Sequence, residues 1–256
     1  GYNYYGQLGD GTTTDRSNPV PVLDGSGNPL SGVVGIAAGE SHTVYLQGDG
    51  TVLAAGRNTY GQLGDGTNTQ RTNPVPVVDG SGNPLSGVVG IAAGENHTVY
   101  LKGDGTVLAA GYNGGRLGDG TNTNRSNPVP VLDGSGNPLS GVVGISAGDS
   151  HTVYWKGDGT VLAAGENGGQ LGDGTLTNRS NPVPVLDGSG NPLSGVVGIS
   201  AGQSHTVYLQ GDGTVLAAGY NGNGQLGDGT TTNRSNPVPV LDGSGNPDPF
   251  NFLKHA

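Results

Sequence analysis

Apolar positions in this chain come in runs of five or six residues, each closed off by glycine, asparagine, aspartate or proline. No stretch has the spacing of an amphipathic helix with its caps, so the pattern predicts short strands joined by turns. Four types of run alternate in fixed order. Strand A is Val33-Val-Gly-Ile-Ala-Ala38, strand B His42-Thr-Val-Tyr-Leu-Gln47, and strand C Thr51-Val-Leu-Ala-Ala55. Gly48-Asp49-Gly50 between B and C is a tight hairpin signal. Strand D reads Pro19-Val-Pro-Val-Leu23, and Asp24-Gly-Ser-Gly-Asn-Pro29 behind it is a turn cluster.

Prolines at i and i+2 remove N–H donors along one side of strand D, so D pairs only on its other side and must be an edge strand. Strand A carries side chains small enough for several sheets to converge on an axis. An antiparallel sheet with a small-residue inner strand and a proline-blocked outer edge is a propeller blade.

The unit repeats. Copies start at Gly1, Gly56, Gly111, Gly165 and Gly219, and residues 111–164 and 165–218 differ at six of 54 positions. The expected organisation is tandem repeats over 1–247 (1–55, 56–110, 111–164, 165–218 and a partial copy 219–247), then a non-repeat tail, 248–256. Five D strands are expected (19–23, 74–78, 128–132, 182–186 and 237–241) but only four A-B-C units. The fold class is therefore all-β, a β-propeller-type repeat protein with four complete four-stranded antiparallel blades plus an extra orphan outer strand. If each D completes the blade before it, the first has no inner partners. It then belongs to a longer ring, overlaps at a ring closure, or completes a blade of a neighbouring subunit. On the last reading Pro19, Val20, Pro21, Val22 and Leu23 form a subunit contact, with Phe250, Phe252 and Leu253 of the apolar tail docking beside them.

Composition sharpens this picture. The 256 residues include 53 glycines and 16 prolines with only 32% hydrophobic residues, which without a period would indicate disorder. There is no cysteine, hence no disulfide framework and no thiolate chemistry. There is no methionine either, so Gly1 is expected to open a processed or excised piece. The net charge of −10 opposes nucleic acid and anionic membrane as partners. No apolar run is long enough to insert in a membrane as a helix.

Candidate chemistry is sparse. His42, His97, His151 and His205 recur once per repeat, as side chains that tie the A–B turn rather than as a metal ring. Asp24, Ser26 and Asn28 imitate a calcium loop, but Gly35 stands where its closing Glu belongs. The Gly-Gln-Leu-Gly-Asp-Gly-Thr run has neither the lysine nor the helix of a phosphate cradle. The reading is no enzyme, no cofactor and no metal. Differences between copies concentrate at the A–B turn (Glu40, Glu95, Asp149, Gln203) and in the C–D loop (Arg57, Tyr60, Tyr112, Glu166, Leu176, Tyr220), while Gln47, Lys102, Lys156 and Gln210 vary near the opposite side. Both connections leave an antiparallel A-B-C-D sheet on one side, which makes that side the candidate binding face. The singular residues Trp155, Arg57, Arg116 and Leu176 suit contact surfaces better than catalysis.

The string from Ile36 to Gly56, followed by Gly61-Gln-Leu-Gly-Asp-Gly-Thr67, resembles the repeat of the regulator of chromosome condensation family. The match runs over residues 1–247 in register. It departs where the family carries tryptophan before the strand-C glycine; Ala55, Ala110, Ala164 and Ala218 stand there. The resemblance implies a propeller, usually of seven blades, and a protein partner. Members include Ran exchange factors, ubiquitin-ligase domains, a plant ultraviolet sensor and secreted bacterial β-lactamase inhibitors. The sensor's chemistry needs clustered tryptophans, and Trp155 stands alone. Acidic, cysteine-free and lysine-poor composition fits the secreted members best. Two roles are therefore expected: a structural subunit of an extracellular or cell-surface assembly built by blade sharing, or a monomeric module that binds a protein through the variable face.

Overall fold

The computed structural model describes residues 1–247, and these hold strands, turns and no helix. In the first sheet β1 (Val33–Ala38), β2 (His42–Gln47), β3 (Val52–Gly56) and β4 (Arg71–Pro76) lie in the order β1-β2-β3-β4, every pair antiparallel. The second sheet repeats this with β5 (Val88–Ala93), β6 (His97–Lys102), β7 (Val107–Gly111) and β8 (Arg125–Pro130). The third holds β9 (Val142–Ala147), β10 (His151–Lys156), β11 (Val161–Gly165) and β12 (Arg179–Pro184). The fourth holds β13 (Val196–Ala201), β14 (His205–Gln210), β15 (Val215–Gly219) and β16 (Arg234–Pro239).

Strand D is the outer edge, as its prolines require: β4 pairs only with β3, through Leu53↔Pro76, Ala54↔Val75 and Gly56↔Arg71. It starts and ends earlier than the expected 74–78, because Arg71 is anchored by Asp65 at 2.8 Å and Val78 turns away to bridge Pro84. Each blade thus takes A, B and C from one repeat and D from the next. The inner strands β1, β5, β9 and β13 run side by side, each in contact with the next.

Burial is concentrated between blades. At the first seam Val44, Val52, Ala54 and Leu63 from blade one, all 1% exposed or less, meet Tyr100 and Ala110 of blade two. The next two seams repeat the arrangement around Leu117 with Tyr154 and Leu171 with Tyr208. A buried hydrogen bond crosses each seam: His42 Nε2 to Thr98 Oγ1 at 2.9 Å, His97 to Thr152 at 3.0 Å, and His151 to Thr206 at 2.9 Å. Each threonine already donates its one proton to a backbone oxygen, Thr98 to Gln62 at 2.6 Å. The histidine must therefore donate from Nε2, which leaves Nδ1 bare and without a partner. The histidines tie blade to blade, not the A–B turn as expected; that turn is closed by Gly39 N–H donating to the His42 carbonyl at 2.9 Å.

The first D segment differs from the others. Pro19–Leu23 enters no sheet and carries only the isolated Leu23–Pro29 bridge, because no strand C lies beside it. The segment around it still covers blade one: Thr43 Oγ1 donates to the Gln7 carbonyl at 2.7 Å, and Asn73 Nδ2 to the Leu23 carbonyl at 3.0 Å. The arc of four sheets is open. The tail residues Phe250, Phe252 and Leu253 lie outside the described residues.

Candidate protein-contact face

The variable C–D loops are long, yet each is held by its own polar core. In the loop after β3, Asn58 Nδ2 donates to Asp65 Oδ1 at 2.9 Å and to the Thr67 and Thr69 carbonyls at 3.0 and 3.1 Å. Arg71 closes the ring on Asp65 Oδ2. The same Asn–Asp–Arg set recurs as Asn3/Asp10/Arg16, Asn113/Asp119/Arg125, Asn167/Asp173/Arg179 and Asn221/Asp228/Arg234. Burial works against ionisation of these aspartates, but hydrogen bonds from the threonine two residues on, from the arginine and from the asparagine outweigh it. Asp10 and Asp228 are held down at about 2. Five of the seven arginines are consumed this way. The sequence carries a signal for this, since Asp precedes Arg by six residues in every copy and Asn precedes Asp by six or seven, but composition and turn residues alone show only a loop.

Two groups of residues remain on the face. The first is an inner ring. Glu40, Glu95, Asp149 and Gln203 sit at the ends of the inner strands around a central opening of about 310 Å³. Burial raises the Asp149 carboxyl, and the Glu95 charge adds to it.

The second is an outer ladder of rings and guanidinium groups. Tyr2 stacks on Tyr4 at 6.3 Å, and Tyr4 meets Tyr5 edge-on at 5.0 Å. Arg57 lies 5.3 Å from the Tyr5 ring and 5.5 Å from the Tyr60 ring. Tyr60 meets Tyr112 at 5.0 Å, and Arg116 lies 4.5 Å from the Tyr112 ring and 2.7 Å from Glu166. The ladder crosses the loops of four successive repeats. It brings together Arg57, Tyr60, Tyr112 and Glu166, which the variation pattern singled out. It adds Tyr2, Tyr4 and Tyr5, which that pattern missed although Tyr2 occupies the same variable loop position as Arg57 and Tyr112.

Tyr220 stands apart, across a cavity of about 690 Å³ shared with Glu166, Gln203 and His205. Leu176 is 68% exposed at the tip of its own loop. Two of the singular residues are engaged by the next blade, one buried and one half-buried. Arg116 is buried in the second seam, reaching Glu166 and the Asp149 carbonyl of the next blade. Trp155 lies in the third seam, donating from Nε1 to the Val196 carbonyl at 2.8 Å. Of the expected subunit-contact residues, Pro19, Val20 and Val22 line an apolar cavity of about 560 Å³ against Ile36 and Tyr45, while Pro21 is exposed and Leu23 bridges Pro29. The Asp24 turn is self-contained, its Oδ1 accepting from the Ser26 and Asn28 N–H groups at 2.9 and 2.8 Å. Among the described residues no group of three or more His, Asp or Glu is placed to hold a metal ion.

A family model described as RCC1-like domain matches residues 1–249. The ultraviolet-B receptor UVR8 of Arabidopsis thaliana is 32% identical over 242 residues, covering 94% of this chain and 52% of the receptor. The probable E3 ubiquitin-protein ligase HERC3 of Homo sapiens is 35% identical over 234 residues, 89% of this chain and 21% of the ligase. The chain thus spans about half the length of the receptor and about a fifth of the ligase. Among solved structures, human WBSCR16 superposes with a TM-score of 0.72 at 24% identity, covering 94% of this chain and 61% of that one. Yeast RCC1 (Prp20), in its complex with Kap60, gives 0.67 at 20%, covering 90% and 56%. At these identities the two structures speak for the fold, and the family model and the sequence relatives speak for descent: this chain belongs to the RCC1-like domain family.

Proposed function

We propose that this domain performs no chemistry of its own and acts as a protein-binding scaffold, with the tyrosine–arginine ladder and the acidic inner ring as its contact surface. The observation that carries this reading is the ladder. Aromatic side chains with substantial exposure (Tyr2 57%, Tyr4 61%, Tyr112 36%) are held in place by stacking on the face where most differences between the repeats fall. Ordered tyrosines lose little entropy on binding and supply large contact area. Glu40, Glu95 and Asp149 beside them favour a polypeptide with basic side chains. The net charge of −10 weighs against nucleic acid, and no cofactor or membrane insertion enters the reading. Related propellers support a protein partner: yeast RCC1 was solved bound to Kap60, and a Prp20p structure is described with its binding to Gsp1p and histones.

Selection of a random peptide library on the immobilised domain tests this. Clones enriched on the wild type should bind a Tyr4→Ala/Tyr112→Ala/Tyr220→Ala variant at least about tenfold more weakly while its Tm stays unchanged. Clones that bind both proteins equally would exclude the face.

A second reading, a structural subunit of an extracellular or cell-surface assembly, is favoured by a different observation. The same valine of each inner strand, Val34, Val89, Val143 and Val197, is exposed, which gives a repeated apolar row across the four blades. The lysine-poor, cysteine-free composition supports placing it outside the cell.

A further inference from the structure

Three loops of the variable face carry the same triplet at the same place. Asn124-Arg-Ser126, Asn178-Arg-Ser180 and Asn233-Arg-Ser235 are Asn-X-Ser sequences, and in each the asparagine immediately precedes the outer strand of a blade. All three asparagines are exposed. Each carboxamide is held at one end only. Its Oδ1 accepts from the backbone N–H of the asparagine that organises the loop, Asn113 at 3.0 Å, Asn167 at 2.9 Å and Asn221 at 2.8 Å. Its Nδ2 donates to no group among the described residues. With the oxygen turned into the loop, the planar amide presents its nitrogen to solvent.

The loop itself does not require asparagine at this position. In the first copy Asp15 does the same work, its Oδ1 accepting from the Asn3 N–H at 2.7 Å. In the second, Gln70 stands there and donates to the Tyr4 carbonyl at 3.4 Å. A carboxylate has no such nitrogen, and the glutamine's is engaged. Those two copies hold Tyr2, Tyr4, Tyr5, Arg57 and Tyr60 of the ladder. Neighbouring asparagines spend their Nδ2 inside the fold, Asn113 on Asp119 at 2.8 Å and Asn127 on the Val78 carbonyl at 3.1 Å. A fourth triplet, Asn96-His-Thr98, is an internal contrast. Asn96 is 7% exposed, His97 and Thr98 are fully buried, and the Thr98 hydroxyl is committed to the Gln62 carbonyl. Folding closes that triplet and leaves the other three open.

We propose that Asn124, Asn178 and Asn233 are acceptors for N-linked glycosylation. The Nδ2 nitrogen bonds to the anomeric carbon of a glycosyl diphosphate, and the bond from that carbon to the phosphate oxygen breaks. The diphosphate departs with the electron pair, and a base of the transferase takes the amide proton. A donor carried on a lipid and one carried on a nucleotide give the same linkage. The product keeps its Oδ1, so the bond to the loop N–H survives the transfer. Sugars are bulky and hydrophilic and suit a surface loop. Asn178 and Asn233 line the cavity beside Tyr220, so glycans there screen that side of the face. The first two loops, which carry Asp15 and Gln70, stay uncovered, and with them most of the ladder.

Peptide mass spectrometry of the protein from its native source tests the assignment. Asn124, Asn178 and Asn233 should each carry the added mass of a glycan, and Asn96 should be bare. A preassembled oligosaccharide marks the lipid-linked donor and a single sugar the nucleotide-linked one. The cell fraction that yields the protein tests the extracellular placement separately. Three bare asparagines would overturn the proposal whatever that fraction is, and one bare asparagine would remove its loop from it. Sugar on Asn96 to the same extent would overturn the role given to exposure in the loop. Ser126→Ala, made in the native source, breaks one triplet and keeps the Asn124 bond to the loop. It should lose the Asn124 glycan alone, with the other two retained. If that variant does not fold, Asn124→Gln replaces it, since the second copy already carries glutamine there. Modification of Asn124 that persists in Ser126→Ala would overturn the triplet as the signal.

Discussion

The internal seams and the open ends of this arc are made from the same residues and behave as different materials. At a seam, His97 is fully buried, its Nε2 proton committed to Thr152 and its Nδ1 bare. In blade four His205, followed by the same Thr-Val-Tyr, is half-buried. The difference teaches that in a repeat protein a residue's character is set by the neighbouring copy as much as by its own. Gly94 shows this at atomic scale. An added Cβ would lie 2.2 Å from its own His97 ring and 2.4 Å from the Gly148 carbonyl oxygen of the next blade; at Gly202 the three nearest atoms all belong to the ring of its own His205.

The largest expected effect follows from that pair. Gly94→Ala should cost about 3 kcal/mol or more, because rigid backbone of the adjoining blade must move. Gly202→Ala should cost about 1 kcal/mol or less, because a half-exposed imidazole can rotate away. Urea unfolding of the two variants measures the contrast, and equal losses would mean that blades do not press on one another at this glycine.

Next comes pH. Burial pushes His42 down to about 4 and His151 to about 3, and pushes His97 the same way with the Arg116 charge adding to it. The unfolded chain takes up these protons near pH 6.5 and the folded seam does not, so stability is complete above pH 6.5 and falls as the pH drops toward 4. For His42 alone the loss reaches about 3 kcal/mol. Asp10 and Asp228, held at about 2, release their share only below pH 4. Unfolding at pH 7, 6, 5 and 4.5 should show the decline, and in an NMR titration His205 should protonate at higher pH than the three seam histidines. A flat stability curve from pH 7 to 4.5 would contradict buried neutral seams.

The smallest effect concerns the second seam, which alone carries an ion pair. Glu166→Gln leaves the Arg116 guanidinium, 3% exposed, facing a half-exposed neutral amide, and should cost about 1 kcal/mol or less. Arg116→Gln should cost less still, because glutamine fills this position in the other four copies. Thermal shifts of the two single variants and the double variant order these effects.

Much of the architecture was legible in the chain. Proline spacing placed strand D at the edge, and the small residues of Val33–Ala38 placed strand A at the centre. Both are local arguments, since a missing donor or a missing bulk constrains any fold. The candidate face was legible in part. Variation between copies pointed to Arg57, Tyr60, Tyr112 and Glu166, but stacking joins them to Tyr2, Tyr4 and Tyr5 only when four loops lie side by side. Arg116 and Trp155, expected at a contact surface, pack buried and half-buried in seams, because singularity in sequence does not distinguish a partner's contact from a neighbouring blade's.

Sequence alone determined the strand type, the order within a blade and the repeat, through periodicity, turn chemistry and the absence of proline N–H groups. Only the tertiary structure decided where the histidines bond, which carboxylates are consumed inside loops, and that Arg16–Pro21 remains outside any sheet. The histidine bonds depend on what lies across a seam 55 or 56 residues away in the chain, and a hydrogen bond such as His42 to Thr98 has no local signature, whereas the loop carboxylates are held by residues six or seven positions away whose geometry only the folded loop shows.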